Sequence, residues 1–434
     1  MNPFVADPEW GVWIILYFYL GGIAAGAYFL ATLVALFGHE EDRAVSRIGY
    51  RLALGLIAIC GIFLIVDLER PERFWHMMLQ SELVEQAFDA GWPLGGWGTM
   101  LSAMMQKRWS PMSVGAWALN LFGLCSTLSC LGTLWPGGRL DQVLSRGLVG
   151  RTLQVVGSAA GFFVGSYTGV LLTASNQPIW SISDWIGPLF LTSAASTGIA
   201  AVLLVMCWRG IGSPEIFERL ERTALWALGL ELFVFLIFLG SLEGMLPLAL
   251  TTGAGWLLVL GTLVLALVLP LLLHLGAGAH EPRRMVAAAG CALVGGFALR
   301  AGILKTAPAL LDRWHEWARE TPPGPLWQSA AGVGLLVVTL LLAVAIPWIV
   351  RQQWDLTGRQ TALAGLASVL VCVIVTGYAL RPETGYPLLD RLTLPGFSPE
   401  LDRPGGGGPG ASAINRPAEV RFRSKITGTL PNEP

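Results

Sequence analysis

Ten apolar runs of about 20 residues recur along the chain, and ~20 residues is the length an α-helix needs to cross the hydrocarbon core of a bilayer. They fall near 11–37, 47–67, 111–134, 152–175, 185–208, 223–242, 251–276, 284–304, 326–350 and 361–380. Lipid offers no partner to backbone N–H and C=O groups, so a run of this length spans as a helix that satisfies its own ladder. The 434 residues are 54% hydrophobic, and a water-soluble domain that apolar would expose large greasy patches. Glycine and tryptophan are abundant, which fits close helix contacts and interfacial anchors. The expected fold class is therefore an all-α integral membrane protein with about ten transmembrane helices. The first ten residues carry no Lys or Arg, and the run after them is long enough to span, so no cleavable signal peptide is expected.

Orientation follows from the basic residues between spans. The loops after spans one, three, five, seven and nine, counted with the first residues of the following span, hold 3, 3, 3, 2 and 2 Lys or Arg, from Arg43, Arg47 and Arg51 to Arg351 and Arg359. The loops after spans four and six hold none. The positive-inside rule then sets the odd-numbered loops in the cytoplasm and both termini on the outer side. Residues 77–110 become a long outer loop that could lie flat on the membrane, and 305–325 a second outer loop. Residues 381–434 are Pro/Gly-rich and polar, too poor in apolar surface to fold alone.

One knot breaks the apolar pattern. Asp67-Leu68-Glu69-Arg70-Pro71-Glu72-Arg73-Phe74-Trp75-His76 places six ionisable groups within ten residues, in a chain only 13% charged. Carboxylates and guanidiniums at a bilayer edge are costly unless paired or wetted, which makes them candidates for function. The same residues also suit an interfacial clamp, with Arg and Trp holding a helix end at the headgroups. On the topology above the knot faces the outer side.

Several chemistries are excluded. The five histidines, His39, His76, His274, His280 and His315, sit at span ends or in loops rather than in facing mid-span pairs, so haem b is not expected. The six cysteines form no CxxC pair, which argues against iron–sulfur and zinc sites. No P-loop, GxSxG or HExxH pattern occurs. A net charge of -1 leaves no footprint for nucleic acid. What remains is a protein that handles a lipophilic molecule, protons or ions with side chains alone.

Two tyrosines add to the knot. Tyr17 lies in the first span beside Gly21, Gly22 and Gly26, and Tyr167 lies near the end of the fourth. A phenol inside a span needs a hydrogen-bond partner, which a quinone carbonyl would supply, and a neighbouring carboxylate could pass the proton. Both could equally be interfacial or packing residues.

Four stretches, taken in order, resemble the polysulfide reductase membrane subunit, or NrfD-type, family. They are Gly21-Gly22-Ile23-Ala24-Ala25-Gly26-Ala27, Asp67 to Phe74, Ser110-Pro111-Met112-Ser113-Val114-Gly115-Ala116-Trp117, and Tyr167-Thr168-Gly169-Val170-Leu171-Leu172 with Pro178-Ile179-Trp180. Gly295 to Arg300 is a weaker fifth. The resemblance implies two four-helix bundles over residues 1–304, holding menaquinone or ubiquinone near the outer face. Two additional helices within 305–380 and the tail at 381–434 would be extras. It implies a bacterial inner membrane, a ferredoxin-like iron–sulfur subunit, and a partner bearing molybdopterin or multiple haems c. It implies that Tyr167 hydrogen-bonds the quinone carbonyl, with Glu69 and Asp67 beside the head group as proton-handling catalytic residues. Tyr17, Arg70, Arg73 and His76 complete the candidate cofactor-binding set. Tyr17 stands where some members place a polar contact such as His. Glu231, Glu243, Arg300 and His274 are further polar groups in or near spans, fit either for a proton path or for helix packing. Two other classes compete: a secondary transporter, and a structural anchor without its own quinone site.

Overall fold

The computed structural model describes residues 9–105, 110–175, 177–242, 245–275 and 281–311. Expected spans nine and ten, the tail, His280, His315 and Glu243 lie outside the described residues. Within them every regular element is helical, and eight helices are long and apolar enough to cross a membrane. We number these α1 (Val12–Phe37), α2 (Arg43–Val66), α3 (Pro111–Leu134), α4 (Leu148–Thr173), α5 (Ile186–Arg209), α6 (Pro214–Ser241), α7 (Gly253–Leu275) and α8 (Pro282–Ala309). All eight fall on spans expected from the sequence.

Helix starts follow local chemistry. Ser110 accepts the Ser113 N–H and Ser213 the Ile216 N–H, each followed by Pro at the first helical position, where a missing N–H costs nothing. α6 therefore begins at Pro214, well before the apolar run at 223. Its first turns carry Glu215, Glu218, Arg219 and Arg222, which hydropathy alone places outside the helix.

The eight helices form two bundles. α1, α2, α3 and α4 pack in a closed ring, and α5, α6, α7 and α8 in a second. α5 joins them by packing on both α1 and α4, while α8 also touches α1. The contact of α1 with α5 is backbone to backbone. A Cβ on Gly26 would overlap the Ala194 carbonyl, and one on Gly198 would overlap the backbone of Gly26 and Ala27. Small residues at such a crossing are what let helices associate in lipid, where no hydrophobic effect drives them together. Leu, Ile, Val, Phe and Trp side chains point outward instead, including Ile62 on α2, Trp226 and Leu236 on α6 and Val264 on α7. This is the arrangement expected of a lipid-facing surface. Asp42 of the α1–α2 turn is buried and takes a 2.9 Å ion pair from Arg219 at the start of α6, a tie between the bundles.

Candidate functional site

α2 ends where the polar knot begins. The Asp67 N–H still reaches the Phe63 carbonyl at 2.9 Å, and Pro71 then opens a 3-10 turn over Pro71–Met77. The turn folds the chain back over the α2–α3 cleft. Trp117 Nε1 donates to the Met78 carbonyl at 3.2 Å, and the Asn120 amide donates to the Met78 sulfur at 3.1 Å. Beneath this strap lies a groove of about 360 Å³. Its walls are Ile57, Gly61, Leu64 and Leu68 of α2 and its exit, and Ala116, Leu119 and Gly123 of α3; Phe74 and Met78 roof it. Only Asn120 and Thr127 among the lining residues carry a polar side-chain group.

The knot's charges stand around this roof. Glu69, Arg70 and Arg73 are exposed, and Asp67 is half-buried. Among the described residues neither Asp67 nor Glu69 has a side-chain hydrogen bond or ion pair. Partial desolvation raises the Asp67 carboxyl from its ordinary value. His76 stacks on Trp75, with its Nδ1 3.1 Å from the Arg73 carbonyl.

The tyrosines lie elsewhere, inside the first bundle. Tyr17 is buried against Phe18 and Cys60, whose thiol donates to the Tyr17 carbonyl at 3.6 Å. Tyr167 is buried, stacks on Phe163 at 5.4 Å, and donates its hydroxyl to the Pro111 carbonyl. Its ring fills the space that a side chain at Gly115 would need. Neither tyrosine lines the groove. Ile57 and Leu119 form a floor between the two regions, since both line the groove and both pack into the core with Tyr17. The structure thus gathers Asp67, Glu69, Arg70, Arg73 and His76 at one rim and sets Tyr17 and Tyr167 behind it.

A second polar assembly sits in the other bundle. Arg300 of α8 is fully buried and donates to the Phe18, Gly296 and Phe190 carbonyls at 3.1, 3.1 and 3.4 Å, and to the Ser193 hydroxyl at 3.0 Å. Glu231 of α6, also buried, accepts from Ser196 of α5. Nearer the start of α6, His274 Nδ1 lies 3.6 Å from Glu221, both buried. Glu231, Arg300 and His274 were visible in the sequence as polar groups in apolar runs. Glu221 was hidden by the charged first turns of α6, and an i, i+10 relation to Glu231 was its one signal.

The link from α4 to α5, which the sequence marked by Pro178-Ile179-Trp180 without assigning it a role, carries a third feature. Ile179 has a left-handed φ of 68°, an outlier for a β-branched residue. Trp180 holds it there: its Nε1 donates to the Ile303 carbonyl at 2.8 Å, and its ring stacks on Trp10 at 5.4 Å. Four residues on, burial pushes the Asp184 carboxyl up to about 7. Between pH about 4 and about 7 the folded chain then holds a proton that the unfolded chain releases, so stability falls as pH rises through this window. Asp184→Asn removes that slope and is expected to stabilise the protein at pH 8 by a few kcal/mol at most. Thermal midpoints of both proteins from pH 5 to 8 check this, and parallel curves would refute it.

Eight helices long and apolar enough to cross a bilayer, with large apolar side chains turned outward, define a multi-pass integral membrane protein. The sequence model described as polysulphide reductase, NrfD, matches residues 5–311. The chain belongs to that family. It is 27% identical over 316 residues to Protein NrfD of Escherichia coli, covering 68% of this chain and 93% of that protein. It is 29% identical over 82 residues to a selenate reductase subunit of Mesobacillus selenatarsenatis. That match covers 19% of each chain, far less than two thirds of the relative's length.

Proposed function

We propose that this chain is the membrane subunit of a redox complex in a bacterial cytoplasmic membrane, exchanging electrons and protons between the quinone pool and an attached iron–sulfur subunit. The groove between α2 and α3 carries the reading. It is apolar along its length, as a polyprenyl tail requires, and its last α2-side lining residue, Leu68, stands between two carboxylates with no partner. Menaquinone or ubiquinone fits this donor set: an apolar slot, then groups able to take or give protons. When bound, quinol supplies two electrons and two protons. Asp67 and Glu69 accept the protons, and partial desolvation raises the Asp67 carboxyl from its ordinary value, in the direction that favours uptake. Arg70 and Arg73 give the rim positive charge beside a polar head group, and His76 adds an imidazole ring next to them. Tyr17 and Tyr167 orient the wall behind the floor formed by Ile57 and Leu119. The names of the relatives, one of them a selenate reductase subunit, support a complex with a catalytic subunit, for which molybdopterin or multihaem cytochrome c chemistry is the expectation.

The Glu231–Ser196 pair, the Arg300 cluster and the Glu221–His274 pair put buried ionisable groups at two levels of the second bundle. They support a route for protons through that bundle. The positive-inside count puts the knot at the outer face.

Asp67→Asn combined with Glu69→Gln is expected to lower quinol turnover by about 10²-fold, the scale of a lost proton-transfer group. Ala116→Phe, which fills the groove, is expected to raise KM for long-tailed quinols far more than for tail-less analogues. Steady-state kinetics on the purified complex measure both. Unchanged turnover in the double variant would leave the chain a structural anchor, and solute uptake by the chain alone in liposomes would make it a transporter.

A further inference from the structure

We infer that the helical hairpin at residues 80–105 is a docking surface for a protein subunit whose facing side sets an apolar patch within a Lys/Arg rim. Two short helices, Ser81–Asp89 and Trp97–Met105, pack on each other through Val84, Ala87 and Ala103, and the Gln80 N–H closes the base on the Ala103 carbonyl at 3.1 Å. The tip is apolar and unburied. Leu94 is 98% exposed, and Phe88, Trp97 and Leu101 are exposed with it. Phe88, Trp92 and Trp97 form a contiguous aromatic cluster, with ring centroids 5.3 and 5.9 Å apart. Large aromatics presented on a rigid support are the residues that dominate protein–protein binding energy.

Charge decides between a protein and the bilayer as the occupant. Glu82, Glu85 and Asp89 follow one another at i, i+3 and i+7 on the exposed side of the first helix, beside Phe88, and all three are exposed. From residue 80 to 105 the hairpin carries no Lys or Arg; Lys107 and Arg108 come after it in sequence. Helices that lie in a membrane surface carry Lys and Arg on the polar face, because lipid headgroups are anionic. An acidic flank beside exposed aromatics is repelled by that surface and complements a basic one. The hairpin also begins two residues after Met78, which Trp117 and Asn120 pin to α3 at the groove's mouth. A protein seated on it would stand beside Asp67 and Glu69. That this protein is the iron–sulfur partner rests on the quinone reading above; the docking itself does not.

The test replaces Leu94 by a photo-cross-linking phenylalanine analogue and irradiates native membranes before the complex is solubilised through a tag on this chain. The expected adduct joins residue 94 to a Lys/Arg-flanked peptide of a co-purifying protein subunit. An adduct with lipid alone, or with none of the co-purifying chains, overturns the inference. In a second arm, Glu85→Lys with Asp89→Lys is expected to cut partner retention by about tenfold or more at 0.15 M salt, with the thermal midpoint and inhibitor binding of the chain unchanged. Full retention overturns the inference. Binding of a tail-bearing quinone analogue to wild type is measured alongside. Its absence would refute the quinone reading while leaving the docking result standing.

Discussion

Arg300→Met is expected to destabilise the protein by about 3–5 kcal/mol, the cost of removing one member of a buried charge system. The guanidinium is fully buried and uses Nε and both terminal nitrogens on four acceptors drawn from α1, α5 and α8. Its planar fork presents donors in fixed directions, which is why one side chain can bind three helices at once. It also attracts the Glu231 carboxylate, which loses that compensation when the charge goes. Phe190 lies under the guanidinium, 5.2 Å from the ring centroid, adding a cation–π contact. Arg300→Lys is expected to recover only part of the loss, since an ammonium keeps the charge but not the fork. Unfolding in mixed micelles measures all three proteins. A methionine variant within 1 kcal/mol of wild type, a difference that would be about fivefold in the folded ratio, would show that the cluster does not hold the bundles.

Gly198→Val is expected to prevent assembly of the two bundles, at a cost of roughly 4–5 kcal/mol or more, the range reserved for severe overpacking. Gly198 meets the backbone of Gly26 and Ala27, not a flexible side chain, so nothing can swing aside. α1 and α5 would have to separate along their length, and α5 is the most buried of the membrane helices. Gly55 on α2 has open space around it and serves as the comparison. Gly55→Val is expected to stay within about 1 kcal/mol of wild type, limited to the weak helix propensity of a β-branched residue. Fluorescence-detected size exclusion after heating reads both. A monodisperse Gly198→Val with a wild-type midpoint would refute the backbone-contact account.

Apolar length carried most of the fold. α3 occupies Pro111–Leu134, the bounds its apolar run gives, because Ser110 and Pro111 mark the start in the same residues that enter the bilayer. α2 and α6 start earlier than their runs because Arg43, Arg47 and the charged turns of α6 remain helical beyond the lipid, where hydropathy has nothing to report. The rim of the candidate site was legible too, since charge at a span end is conspicuous against apolar sequence. The groove was not. It exists only because Ala116, Leu119 and Gly123 of α3 face Ile57, Gly61 and Leu64 of α2, and the rotation of one helix against another is not written in either alone. Nor could residue type reveal that the Tyr167 hydroxyl is taken by the Pro111 carbonyl, or that three of the four acceptors of Arg300 are backbone atoms.

The place of α1 bears on how this protein is made. It is the first of the eight helices to leave the ribosome, yet it belongs at the centre, with α5 and α8 among its final neighbours. The Phe18 carbonyl waits for a guanidinium encoded 282 positions downstream. Gly26 finds its mate earlier, when Ala194 and Gly198 of α5 arrive, but the space beside Gly22 is filled only by Arg300. During synthesis that space must be sheltered by the insertion machinery or by lipid, and the seam between the bundles closes only when the eighth helix arrives.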